Sequence, residues 1–367
     1  MLLLTGCGSF DISNTKVVLT TGFDKDEIFR IETISCTVPE VMVYLTNTQN
    51  QYESVYGSEI WGASFEGVSL GENIKETVLA QIAQIKTMNL MAQDYKVELD
   101  EQEQESVKQA AEKYYNSLNT VEIEKMGVDQ KLIENLYREY ATADKVYQYI
   151  IRDVNPEISD DEARIITVEH ILIKTYALDG NGQKIAYTGT DKEEALETAE
   201  KVWNMAVSGE TDFEELATQY SEDENVTYSF GKGETEEAFE KAAFDLGTGE
   251  ISNIVETSLG YHIIKCISTF NKEETDANKI RIVEKKRQEV FGEEYDAYVK
   301  KLTRDLNEQL WESISFLYDP EVQTARHSGR TSRFRLMKTA RQCAVPLFMK
   351  NLELRKTLQP CGFSKNY

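Results

Sequence analysis

One break organises this chain. Asn155-Pro156 ends the helical patterning that runs from Pro39 to about residue 152, and the residues beyond it are built on a different plan. Proline donates no backbone hydrogen bond and pushes the residue before it out of the α region, so a helix stops there. Ser159-Asp160-Asp161-Glu162 opens a short turn next, which places a domain boundary near 155–164. Upstream, Lys16-Val17-Val18-Leu19-Thr20 and Ile28-Phe29-Arg30-Ile31 read as strands around a turn with Gly22 and Asp24. Pro39 then suits a first helical position. Ile74, Val78, Ile82, Ile85, Met88 and Met91 recur at steps of three and four, the spacing of one buried helix face. Asp100, with Glu103 three residues on, begins another helix as a capping box. Leu132, Leu136, Ala143, Val146, Tyr147 and Ile150 make a further stripe. These stripes predict mutual packing in a helical domain over residues 8–160.

Downstream of the break the order is strand, helix, helix, helix, strand. Ile165 to Lys174 is the first strand, followed by an insertion with Asp179-Gly180-Asn181-Gly182. That tetrapeptide begins like a calcium loop but lacks the closing Glu, so it reads as a turn. Thr190 and Glu193 form a capping box for a helix through about Ser208. Phe213, Leu216, Ala217 and Tyr220 line a second helix, and Phe239, Ala243 and Leu246 a third, which Gly247 and Gly249 end. Tyr261 to Ser268 is the closing strand. After residue 272 a charged helix is expected to run to about Trp311, with Ile280, Val283, Val290, Phe291, Tyr295, Tyr298, Leu302 and Leu306 as its apolar positions.

Charge narrows the partners. The 367 residues carry 40 Lys+Arg against 64 Asp+Glu, a net of −24, which is the wrong sign for docking on a phosphate backbone. Nucleic acid is therefore excluded as an expected partner. No run reaches the roughly 18 apolar residues a membrane-spanning helix needs. The last 43 residues, 325–367, hold ten Lys+Arg and one Glu, so the body before them is more acidic than the total suggests. This basic tail reads as an extension outside the functional body, with contact to anionic lipid as the alternative. Cys36 and Cys266, far apart in the main body, read as plain buried thiols. A Gly-x-Ser-x-Gly elbow, His-Glu-x-x-His and Cys-x-x-Cys are all missing, and two histidines in the main body exclude a His-rich metal site.

Two resemblances add to this reading. Leu4-Thr5-Gly6-Cys7, ahead of polar Gly8-Ser9, resembles a bacterial lipobox, which implies that Cys7 is the lipidated first residue of a mature chain held at the outer face of the cell membrane. The basic and long apolar parts of a full signal are absent, so the natural start is expected further upstream. The second resemblance rests on ordered blocks: Val168-Glu169-His170-Ile171-Leu172-Ile173-Lys174; Phe213-Glu214-Glu215-Leu216-Ala217-Thr218-Gln219-Tyr220-Ser221-Glu222-Asp223; Phe239-Glu240-Lys241-Ala242-Ala243-Phe244-Asp245-Leu246; and, after Gly249-Glu250-Ile251-Ser252, Val255-Glu256-Thr257-Ser258-Leu259-Gly260-Tyr261-His262-Ile263-Ile264-Lys265. Together they resemble the parvulin family of peptidyl-prolyl cis-trans isomerases. With the lipobox and the flanking helical segments, the plan resembles that of the PrsA-type foldase lipoproteins and the SurA chaperone.

The resemblance implies an α+β chain: a helical chaperone domain, a parvulin domain over 165–271 with a small antiparallel sheet, and a C-terminal helix over 272–320 packing on the helical domain. It assigns His170, His262, Asp223 and Thr257 to the catalytic hydrogen-bond network, and Phe239, Thr235, Leu259 and Val226 to the proline pocket, with no metal and no organic cofactor. The implied partners are unfolded secreted polypeptides with X-Pro bonds. A non-catalytic holdase is the alternative, because the sequence departs from the family twice. The glycine-rich cover after Asp223 is shortened to Asn225–Gly233, and Thr235 stands where a pocket methionine is expected. The smaller, polar Thr235 should weaken proline burial by about 1 kcal/mol.

Overall fold

The computed structural model describes residues 22–322 apart from 66, 181 and 320. Cys7, the strand expected over 16–20 and the basic tail 325–367 lie outside the described residues. The described residues form two compact units, one of residues 22–150 together with 291–322, the other Ile151–Val290.

The first unit opens with β1 (Glu27–Ile31) and β2 (Ile34–Thr37), a hairpin that leads directly into α1 (Val38–Tyr56). Glu40 accepts the Thr37 backbone N–H at 2.6 Å, which satisfies a donor that the first helical turn leaves free. A short ladder of β3 (Ser64–Phe65) and β4 (Val68–Ser69) precedes α2 (Leu70–Tyr95), and α3 (Glu101–Tyr115), α4 (Thr120–Met126) and α5 (Gln130–Ile151) come after it. The expected stripe on α2 is buried throughout, and Asp100 caps α3 as its spacing predicts. On α5 the buried stripe is rotated slightly from the expected one: Ile133 and Ile151 are buried, whereas Leu132 and Ile150 are only half so. Lys86, on α2, is 2% exposed, and its ammonium lies 2.7 Å from Glu40 and 2.8 Å from Glu139. Burial works against that charge, but the two carboxylates outweigh it and raise the lysine's pKa.

The second unit begins with the short α6 (Asp160–Ala163) and the long β5 (Ile166–Lys174). A hairpin of β6 (Tyr176–Leu178) and β7 (Lys184–Ala186) takes up the insertion, and Asp179 closes its turn by accepting the Gln183 N–H at 2.8 Å. Then come α7 (Thr190–Ser208), α8 (Phe213–Tyr220), β8 (Thr227–Phe230), α9 (Glu237–Phe244), β9 (Val255–Glu256), β10 (Gly260–Ser268) and α10 (Lys272–Val299). The expected Thr190/Glu193 capping box is not formed: Gly189 occupies the cap, and Glu193 donates its N–H to the Gly189 carbonyl. Thr190 is therefore one residue too far inside the helix to cap it.

The sheet is antiparallel with order β8-β5-β10-β9, and β5 pairs with β10 from Lys174↔Gly260 to Thr167↔Ser268. Alternation along both strands gives the sheet two apolar faces. Ile171, Ile173, Tyr261 and Ile263 meet α7 and α8 on one face, while Ile166, Val168 and Ile264 meet Phe230 of β8 and Phe239 and Ala243 of α9 on the other. Gly260 starts β10 at φ +143°, and a Cβ there would sit 2.1 Å from the Ile173 carbonyl oxygen. Only glycine lets these strands close at that end.

The helix expected over 272–311 is shorter. α10 ends at Val299, β11 (Arg304–Leu306) pairs with β1, and α11 (Glu308–Ser313) is the last described element. Leu306 is thus an edge-strand residue, and the single C-terminal helix over 272–320 is corrected to helix, strand and helix. Pairing with the open edge of β1 satisfies backbone groups that a longer exposed helix would have kept for itself. The first part of α10, to Val290, belongs to the second unit, where it is tied by polar contacts. Thr275 accepts the Ile165 N–H at 3.1 Å and Asn278 donates to the Ala163 carbonyl at 3.0 Å, while Ile280 points to solvent.

Candidate active site

His170 on β5 and His262 on β10 share the face of the sheet that carries Ile264 and Val168. Ile264 is opposite His170 and Leu172 opposite His262, so the two imidazoles are diagonal neighbours across the ladder. Both are buried, at 2% and 3% exposure, and their rings stack nearly parallel with centroids 5.2 Å apart. The Phe239 ring stands across them, 5.6 Å from His170 at 90° and 5.1 Å from His262 at 76°.

The hydrogen bonds form one connected line. Thr257 Oγ1 is 2.8 Å from His262 Nε2, His262 Nδ1 is 3.0 Å from His170 Nδ1, and His170 Nε2 is 3.3 Å from the Asn225 carbonyl and 3.4 Å from Asp223 Oδ2. Both imidazoles resist protonation. Burial lowers the pKa of His170, and burial followed by the neighbouring His170 lowers that of His262 to about 4. The pair is therefore neutral near pH 7, and chemistry assigns each proton. The partners of His170 Nε2 only accept, so Nε2 carries the hydrogen and Nδ1 is bare. His262 must then donate from Nδ1, which leaves its Nε2 to accept from the Thr257 hydroxyl. Thr257 Oγ1 in turn accepts the Leu259 N–H at 3.1 Å. Every polar atom in the line has a partner, the condition for burying polar groups cheaply.

Each residue expected from the sequence has a definite place. His170, His262, Asp223, Thr257 and Phe239 come together. Leu259 is half-buried in the turn between β9 and β10 and contributes its backbone to Thr257. Thr235 precedes α9, and its buried Oγ1 has no hydrogen-bond partner in the protein. Val226 departs from the expectation: it packs with the cluster on the opposite face of the sheet, against α7 and α8, and reaches the network only through its carbonyl, which accepts the His170 N–H at 2.8 Å.

Some participants were not singled out from the sequence. Tyr228 donates to Asp223 Oδ2 at 3.1 Å, and Asn225 contributes only a carbonyl, which no residue pattern reports. Glu236, just before α9, accepts the Ser258 N–H at 3.0 Å and the Ser258 hydroxyl at 2.5 Å, tying the turn that carries Thr257 to the helix that carries Phe239. These bonds hold its pKa below the usual carboxylate range. The shortened cover is braced in the same way: Glu234 accepts from Gly231 N at 3.1 Å and Glu240 from Gly233 N at 2.5 Å.

A four-stranded antiparallel sheet with helices on both faces and a paired-histidine line beside a phenylalanine defines a class. Residues 170–268 match the family model of the rotamase, or PPIC-type PPIASE, domain, so this part of the chain is a parvulin-type domain. The chain carrying it is similar to foldase proteins PrsA: it is 33% identical over 205 residues to the foldase protein PrsA of Staphylococcus aureus strain RF122, an alignment covering 48% of this chain and 62% of that protein. Less than two thirds of the curated relative's length is therefore matched. Among solved structures, peptidylprolyl isomerase PrsA from Bacillus cereus is 21% identical, covering 71% of this chain and 95% of that one with a TM-score of 0.35. The parvulin of Nitrosopumilus maritimus is 27% identical, covering 31% and 100%, with a TM-score of 0.21.

Proposed function

We propose that this chain is a peptidyl-prolyl cis-trans isomerase and foldase chaperone acting on unfolded or partly folded secreted polypeptides. The observation that carries the reading is the closed line from Asp223 through the neutral His170 and His262 to Thr257, set beside the Phe239 ring. An X-Pro bond prefers trans by only about 0.5–1 kcal/mol but turns slowly, because amide resonance sets a barrier of roughly 18–20 kcal/mol. That resonance separates charge and is strengthened by water. A pocket that takes the proline ring onto Phe239 and strips water from the amide weakens the planar form relative to the twisted one. The same setting demands that nearby polar groups be neutral and satisfied, since an imidazolium beside the ring would hold water in the pocket. No bond to the substrate is made, so no nucleophile is required.

The Leu4-Thr5-Gly6-Cys7 tetrapeptide supports action outside the cytoplasm from a lipid anchor on Cys7. The helical unit would hold clients while the parvulin-type domain isomerises their prolyl bonds. The test is protease-free exchange NMR on short X-Pro peptides with the full chain and with His170→Ala/His262→Ala. Acceleration that falls at least about a hundredfold in the double variant is expected, the range of a lost preorganised polar constellation. A folded wild-type chain that accelerates no X-Pro peptide would move the function to client holding, the reading that Thr235 and the shortened cover favour.

A further inference from the structure

The shortened cover places an aromatic residue on the histidine line. Tyr228 lies on β8 opposite Val168, and the alternation of β8 turns Tyr228 and Phe230 toward the face that carries His170. Its ring meets that of His170 edge-on, with centroids 5.2 Å apart and planes at 70°. Its hydroxyl donates to Asp223 Oδ2, the same oxygen that lies 3.4 Å from His170 Nε2. Asp223 Oδ1 meanwhile accepts the Asn225 N–H at 3.3 Å, and Asn225 supplies the carbonyl on His170 Nε2. Both acceptors on His170 are thus set by one carboxylate, and Tyr228 is the side chain that orients it.

We propose that Tyr228 is a positioning residue: by holding the Asp223 carboxylate and packing against the imidazole edge, it keeps the hydrogen of His170 on Nε2 and so sets the direction of the whole line to Thr257. A carboxylate on a loop has two oxygens and a free torsion, and without a second donor it turns to water. His170 would then be held by the long Asn225 contact alone, and the proton would distribute over both ring nitrogens. His262 Nδ1–H would lose its acceptor in the wrong tautomer, and Thr257 its own.

The consequence for turnover rests on the isomerase reading; the consequence for the tautomer does not. The experiment is ¹⁵N NMR of the histidine side chains, together with exchange-NMR kinetics, on the full chain and on Tyr228→Phe, Asp223→Asn and the double variant. Tyr228→Phe is expected to mix the His170 tautomers and to lower kcat/KM about tenfold, the factor that corresponds to a hydrogen bond to a charged group. In the Asp223→Asn background the same substitution should change little, because its effect passes through Asp223. A wild-type tautomer and rate in Tyr228→Phe overturns the proposal, as does an equal effect in both backgrounds. A wild-type chain without isomerase activity would sink the isomerase reading, while the tautomer comparison would still decide the role of Tyr228. Should Tyr228→Phe unfold, the wild-type chain provides the second reading: a slowly exchanging phenolic proton close to Asp223 is expected, and a freely exchanging one overturns the assignment.

Discussion

A buried polar cluster in the helical unit and one in the parvulin-type unit are built on opposite principles. In the helical unit Lys86 is a full charge held between Glu40 and Glu139, and removal of one partner leaves another charge stranded. In the parvulin-type unit His170 and His262 are neutral, and the cluster is held by direction: each proton has one place to go. A charged cluster locks helices together and tolerates little change. A neutral line is cheaper to bury, and it can border a pocket that must shed water without dragging ions into it. The contrast separates a staple from a candidate site, although both are buried groups joined by bonds near 3 Å.

The largest effect expected from this contrast is on the staple. Lys86→Met leaves two carboxylates facing each other and should cost about 3–5 kcal/mol, measured by urea unfolding of the full chain. Isomerase rate at a temperature where the variant is still folded should stay within about twofold, as expected for a site outside the cluster. A variant as stable as wild type would mean that the pair can relax into water and is no staple.

Acid should separate the units next. A histidine whose folded pKa is depressed favours the folded state most above the ordinary value of 6.5, and that advantage is lost as pH falls toward about 4, because the unfolded imidazole takes the proton first. His262 alone sets a loss of about 2–3 kcal/mol across that window, at 1.36 kcal/mol per pH unit. The described residues of the helical unit contain no histidine, and the Lys86 ammonium stays charged throughout this range. Urea unfolding at pH 7 and pH 4.5, monitored by probes in each unit, should show the parvulin-type unit losing more. Equal losses would break the contrast.

The smallest effect concerns the pocket. Thr235→Met should strengthen binding of an X-Pro peptide by about 1 kcal/mol, roughly a fivefold lower KM, through added apolar area and removal of an unpartnered hydroxyl. An unchanged KM would place Thr235 away from the proline ring.

Much of this architecture is legible in the residues alone. The α2 stripe from Ile74 to Met91 reports its own burial, because a helix face repeats locally. His170 and Phe239 are recognisable only through the order of the blocks around them; alone, either passes for core. Val226 lies just before β8, after the bend at 223–224, and its packing with the α7/α8 cluster while its carbonyl accepts from His170 is not written in a strand repeat. Tyr228 was missed because its partner, Asp223, is reached through a loop closure and not through a repeat. Lys86 was invisible for a related reason: nothing in its own helix announces the carboxylates of α1 and α5.

By itself, then, the sequence determined what depends on near neighbours: the break at Asn155-Pro156, the periods of strands and helices, and the presence of glycine at 260. Tertiary structure alone decided that β5 and β10 pair so that two imidazoles stack, that 304–306 leaves the helix to join β1, and which ring nitrogen carries each proton. The division tracks the range of the forces. Burial periodicity and capping act over three or four residues and are written into adjacent letters, whereas strand pairing and proton placement depend on partners that only chain closure brings within about 3 Å.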